Sequence, residues 1–199
     1  MDTTSTEFSL EALRRGDRAE FARLVDAYSG PIYRLALRML NHPQDAEDVL
    51  QNTFLNALMH ITSFEGRSSL STWLYRIATN EALMLLRKKR PEVSLGDQTE
   101  DPDDDDLTPS WIVDWSALPE SELLSEESSA HLDRAIRALP ETLRTVFILR
   151  DIEGLSIAET SQVLGLTETN VKTRLLRARL RIREELSAYF SERLPSEEK

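Results

Sequence analysis

The chain has no cysteine among its 199 residues, which excludes disulfides, thiol nucleophiles and cysteine-ligated zinc. No apolar run approaches the length of about eighteen residues that a membrane span needs, and no signal-peptide pattern occurs. The expectation is therefore a soluble, cytoplasmic protein with no membrane insertion of its own. Glycine is scarce at six residues, and neither a phosphate-cradling glycine loop nor a nucleophile elbow is present. The histidines, His42, His60 and His131, are dispersed. These absences predict no catalytic residue, no metal site and no cofactor, and the chain is expected not to be an enzyme.

Basic residues are missing from one whole stretch. Pro91 to Ala130 holds thirteen Asp and Glu and no Lys or Arg, including "EDPDDDD" at Glu100 to Asp106. Met1 to Arg90 carries twelve basic and eleven acidic residues, and His131 to Lys199 repeats that balance. The net charge of -11 therefore belongs to the middle of the chain, and it does not argue against nucleic-acid contact by the nearly neutral flanks. Asp103 to Asp106 lack the spacing of a calcium loop.

What remains is helical. Apolar residues recur at helix spacing in two blocks with no sustained alternation of period two, so the fold class is all-α. The expected organisation is two small helical domains, 1–91 and 126–193, joined by an acidic flexible linker at 92–125 and followed by a short tail at 194–199. In the first block "SLEALRRGDRAEFARLVDAYSG" reads as helix, is interrupted at Gly30-Pro31, and resumes as "IYRLALRMLN" before a break at His42-Pro43. "QDAEDVLQNTFLNALMHITSF" follows, with Asp45, Glu47 and Asp48 in the first turn, and then "TWLYRIATNEALMLLRKKR" with a basic last turn. The second block breaks at Pro140 and continues through "ETLRTVFILRDIEG", "SIAETSQVLG" and a basic final helix.

Three constellations stand out at about 100° of rotation per residue. In the final helix Val171, Leu175, Ala178 and Ile182 share a core face, while Asn170, Arg174, Arg177 and Arg181 share another, with Thr169 and Thr173 beside it. Ser156 with Glu159 has capping-box spacing, Gly165 supplies a turn and Thr167 can cap the next helix, which together make a helix-turn-helix. Such a helix suits DNA, although a solvated basic face would look the same. On the helix from Thr72 to Arg90, Leu74, Ala78, Ala82 and Leu85 form one stripe. Trp73, Arg76, Ile77, Asn80, Met84 and Arg87 form another, suited to single-stranded nucleic acid. The alternative is that Trp73 and Ile77 pack under the preceding loop. On the helix from Asp45, the buried side is Ala46, Leu50, Thr53, Phe54, Ala57 and Ile61. Leu55 and Met59 lie opposite among Asp48, Gln51 and Asn52, as either a docking face or ordinary scattered exposure.

Taken in order, "DAEDVLQNTFLNAL", "FEGRSSLSTWLYRIATNEALMLLRKKR" and "LPETLRTVFILRDIEGLSIAETSQVLGLTETNVKTRLLRARLRIREEL" resemble the extracytoplasmic-function (ECF) sigma factors of bacterial RNA polymerase, in the sigma-70 family. The resemblance implies a factor that binds core RNA polymerase and directs promoter-specific transcription initiation, with polymerase itself performing the chemistry. The first block would be sigma region 2, in which Asp45, Asp48, Gln51, Asn52 and Leu55 meet the clamp helices. Phe64, Ser68 and Ser69 of the following loop would receive a flipped base of the minus-10 element, with Trp73, Arg76, Asn80 and Arg87 guiding the unwound strand. The second block would be sigma region 4, which meets the polymerase flap and reads the minus-35 element through Thr169, Asn170, Lys172, Thr173, Arg174 and Arg177. The family also implies an anti-sigma partner. No further N-terminal or C-terminal domain is expected, as in the small class.

Two promoter readers separated by two helical turns span about 70 Å, and a linker of about 35 residues reaches at most roughly 120 Å. The carboxylates keep it extended, and the resemblance implies that it threads the basic cleft of polymerase; a plain solvated spacer is the other possibility. Trp111 and Trp115 would anchor this linker to a partner or fold back on either block. Two other functions share these features: a stand-alone helix-turn-helix regulator, and a sigma-like decoy for an anti-sigma protein.

Overall fold

The computed structural model describes residues 8–89 and 126–191. The acidic linker, its two tryptophans and the 194–199 tail lie outside the described residues. Among those described there are eight α-helices and no strand, as the periodicity predicts. One compact unit is drawn from Met1–Pro91 and Ala158–Gly165, the other from Glu92–Ile157 and Leu166–Lys199.

The first unit opens with α1 (Leu10–Arg14), capped by the Ser9 hydroxyl, which accepts from the Ala12 N–H at 3.2 Å. Gly16 at φ +79 breaks the helical spacing there. Asp17 then starts α2 (Arg18–Leu40), its carboxylate accepting from the N–H groups of Ala19 and Glu20 at 2.9 and 3.1 Å. The expected interruption at Gly30-Pro31 does not occur, and α2 runs through Pro31. A mid-helix proline costs about 3 kcal/mol. Leu24, Ile32, Leu35 and Ala36, which flank it, are fully buried and Met39 nearly so. At about 1.5–3 kcal/mol for each large side chain, that burial outweighs the proline.

Asn41, in the left-handed region at φ 51, ends α2, and α3 (Pro43–His60) begins with proline at its first position, where the missing N–H is unneeded. A 3-10 turn at Ile61–Ser63 and a loop lead to α4 (Leu70–Lys89), whose first turn is capped by the Ser69 hydroxyl accepting from the Thr72 N–H at 3.1 Å. Helices α2, α3 and α4 pack on one another, and α1 packs on α2 and the 3-10 turn. Val49, Ala57, Leu74, Ala78 and Ala82 are fully buried between them.

The second unit takes α5 (Glu126–Ala138), α6 (Glu141–Phe147) and α8 (Glu168–Ser191), with α5 and α6 both packed against α8. Pro140 separates α5 from α6, as expected. "ETLRTVFILRDIEG" is not one regular helix: α6 gives way to a π-helical turn at Ile148–Ile152, in which the Glu153 N–H donates to the Ile148 carbonyl at 2.9 Å. Ile148 and Leu149 are fully buried, and one extra residue in the turn lets both reach the core. Gly154 at φ +76 ends the turn, α7 (Ile157–Leu164) follows, and Gly165 at φ +66 turns the chain into α8. The Thr167 hydroxyl caps α8 by accepting from the Asn170 N–H at 3.2 Å.

Candidate nucleic-acid and protein interfaces

Three helix faces carry the candidate residues. On α3, Ala46, Thr53, Phe54 and Ala57 are buried, whereas Asp48, Gln51 and Asn52 are exposed. Leu55 and Met59 project among them at 57% and 64% exposure, and Leu58 joins them at 50%. Leu58 was missed by the sequence analysis, although it lies seven residues after Gln51 on nearly the same helical face. Asp45 behaves differently from the other acidic candidates. Its carboxylate receives the Lys89 ammonium from the end of α4 and lies 3.4 Å from His42 Nδ1, so it ties two helix ends together. Farther along, the Asn56 amide donates to Glu81 at 2.9 Å and links α3 to α4.

On α4 the predicted faces are met in part, since Leu85, expected on the buried stripe, is half-buried. Leu74, Ala78 and Ala82 are fully buried; Arg76, Asn80 and Arg87 are exposed, with Met84 among them at 53%. Trp73 and Ile77 are half-buried. Trp73 stands against Phe64, with ring centroids 5.0 Å apart and planes tilted by 38°. Phe64, expected in the base-receiving loop, is only 6% exposed because it closes the 3-10 turn over the core. The Arg14 guanidinium donates to the Phe64 carbonyl. Loop residues Glu65, Gly66 and Arg67 are exposed, with Glu65 and Arg67 paired. Ser68 is half-buried; the Ser69 hydroxyl is engaged with those of Ser71 and Thr72 at 2.8 and 2.7 Å as well as with its capped N–H.

On α8, Val171, Leu175, Ala178 and Ile182 are buried, as the wheel predicts. Thr169, Asn170, Lys172 and Thr173 are exposed at its N-terminal end, and Lys172 Nζ lies 3.8 Å from Glu168. Arg174 and Arg177 are half-buried, and Nε and Nη1 of Arg177 are buried. Arg179, which the sequence analysis passed over, donates through Nε and Nη2 to both oxygens of Asp151 at 2.8 Å each. That hydrogen bonding, opposed by partial desolvation and helped by Coulombic attraction, raises the Arg179 pKa above its ordinary value. Among the described residues no group of His, Cys, Asp or Glu is placed to hold a metal ion, and no helix is long and apolar enough to cross a membrane.

Family models for "Sigma-70 region 2" and "Sigma-70, region 4" match residues 24–92 and 130–182. The chain is 39% identical over 178 residues to the ECF RNA polymerase sigma factor SigW of Bacillus subtilis, covering 89% of this chain and 94% of that one. The chain belongs to the ECF RNA polymerase sigma factors. Its function is promoter-specific transcription initiation with RNA polymerase. The RNA polymerase sigma-H factor of Pseudomonas aeruginosa is 36% identical over 172 residues, with 85% of this chain and 88% of that one covered. The sigma factor RpoE of Bartonella quintana, solved in complex with the anti-sigma factor NepR, shares the fold at a TM-score of 0.63 and 24% identity, over 84% of this chain and 96% of that one. The region 2 match of this sigma factor takes in the α3 and α4 faces, and the region 4 match takes in most of α8. Arg14 lies before the matched residues.

Proposed function

We propose that this sigma factor divides its work among the three faces. The outward side of α3, with Asp48, Gln51, Asn52, Leu55, Leu58 and Met59, docks on the clamp helices of core polymerase: its exposed apolar residues lie within a polar surround, the pattern of a docking patch. Asp45 serves this face indirectly, by fixing α3 to α4. The outward side of α4 receives the unwound minus-10 strand. The observation that carries this assignment is Trp73, half-exposed on a buried Phe64, with Arg76, Asn80 and Arg87 exposed along the same face. A supported aromatic stacks on a base while the guanidiniums follow the phosphates. Ser69 shapes the loop as a cap, and Ser68 and the exposed 65–67 segment border the base.

The N-terminal part of α8 reads the minus-35 element through Thr169, Asn170 and Thr173, with Lys172 and Arg174 on phosphates. Arg177, with two nitrogens buried, orients its neighbours more than it reaches outward. The protein acts in the cytoplasm as a non-catalytic subunit. An anti-sigma protein holds it inactive, as NepR binds its structural relative. Region 4 also meets the polymerase flap.

The test is run-off transcription with purified core polymerase on genomic fragments. Promoter-specific transcripts that require this protein are the expected result. Their absence, with core binding demonstrated, would overturn the assignment.

A further inference from the structure

Arg179 is one of the cations on the DNA-reading helix, yet it points away from the reader. Nine residues separate it from Asn170, which at 100° per residue puts it about 180° around α8. Arg174, Arg177 and Arg181 all fall within about 40° of Asn170. Arg179 therefore cannot share their groove, and its partner explains its position.

Asp151 stands inside the π-helical turn Ile148–Ile152, and both its oxygens accept from the planar fork of Arg179 at 2.8 Å. The turn is braced on its other side, where Arg150 Nη1 donates to the Leu155 carbonyl at 2.7 Å. Val171, Leu175, Ala178, Ile182 and Leu186 are buried along α8, a stripe that sets which of its sides turns inward. A two-point guanidinium–carboxylate bond is directional and adds a finer angular constraint to that packing. We propose that Asp151 is a positioning residue for minus-35 recognition: its grip on Arg179 sets the rotation of α8, and so aims Asn170, Thr173 and Arg174 at the base edges. The inference rests on the assignment of α8 as the minus-35 reader.

The pair joins a half-exposed guanidinium to a mostly covered carboxylate, so its loss registers modestly in unfolding; the specificity readout is what a positioning role moves. Asp151→Asn keeps the shape but turns an amide N–H toward the guanidinium, which breaks the double acceptor. The probe is the promoter fragment that wild-type holoenzyme selects from genomic DNA, beside the same fragment with its upstream element scrambled. Holoenzyme carrying Asp151→Asn in the full chain is expected to lose about fivefold in the intact-to-scrambled transcript ratio, the scale of one weakened base contact. Output from the scrambled fragment and core binding stay at wild-type levels. Exchanging the pair, Asp151→Arg with Arg179→Asp, recovers most of the ratio. An unchanged ratio in Asp151→Asn, an equal loss on both fragments, or no recovery on exchange would each overturn the inference. Arg174→Ala separates the two levels: if it loses the ratio while Asp151→Asn does not, only the positioning role fails; if neither loses it, the α8 assignment fails with it.

Discussion

Trp73 leans on Phe64 at 5.0 Å between ring centroids, so a half-buried aromatic on the α4 face is held by one that belongs to the core. The pair separates two roles that sequence alone merged. Base–aromatic stacking is worth about 1–3 kcal/mol, so Trp73→Ala should slow promoter opening by roughly tenfold while affinity for core polymerase stays unchanged. Reactivity of unpaired thymines to permanganate reports the first and fluorescence anisotropy the second. Equal losses in both would mean that Trp73 acts only as a packing residue.

Phe64→Ala is predicted to behave in the opposite order. Removing a buried phenyl ring costs about 3–5 kcal/mol, and denaturant melts should register that loss before any promoter is added. Phe64→Leu, which refills much of the space, should recover most of the stability but leave Trp73 without a flat support. Opening should therefore remain slow in a protein that is folded.

The α3 face gives a third prediction. Leu55 and Met59 are more than half exposed, so neither alanine substitution should move the unfolding midpoint appreciably. A central apolar anchor in an interface contributes about 2 kcal/mol. Leu55→Ala with Met59→Ala should weaken core binding by at least roughly thirtyfold if the two act together. Asp45→Asn is the internal contrast: it should lower stability by up to about 1 kcal/mol through loss of the Lys89 tie and leave core affinity nearly intact.

These contrasts mark where the sequence was legible. The buried and exposed sides of α3, α4 and α8 followed from period alone, because Val171, Leu175, Ala178 and Ile182 can be buried together only on a helix. Pro31 was misleading since its local penalty is visible in the sequence, whereas the burial of Ile32, Leu35 and Ala36 that overrides it comes from α3 and α4. The π turn at Ile148 was invisible because one shifted backbone hydrogen bond leaves no compositional trace. Asp45 and Asp48 look equivalent three residues apart, and only the arrival of Lys89 from 44 residues away distinguishes them. Asp151 and Arg179 were missed for the same reason, being 28 residues apart in the chain.

The glycine between α7 and α8 yields a prediction that owes nothing to contacts. A Cβ at Gly165 would meet nothing within 4 Å, yet its φ of +66 is unfavourable for any residue with a side chain. Gly165→Ala should therefore cost about 1 kcal/mol, purely as backbone strain. Gly165→Asn, which tolerates the left-handed region better, should cost less. Equal effects of the two in thermal melts would point to an unexpected side-chain clash.

Salt dependence distinguishes the roles along α8. A side chain that neutralises a phosphate releases counterions, so removing it lowers the slope of log affinity against log salt by about 0.9 per contact. Lys172→Ala should show that change and weaken promoters with different upstream elements alike. Its exposed position, 3.8 Å from Glu168, leaves it able to move to a phosphate at little energetic cost. Asn170→Ala should leave the slope unchanged and reduce discrimination at a single base position by about 1–3 kcal/mol, since a neutral amide releases no ion. If both substitutions altered the slope, the N-terminal turn of α8 would be lying along the backbone and not in the groove, and the base-reading assignment of Asn170 would fall.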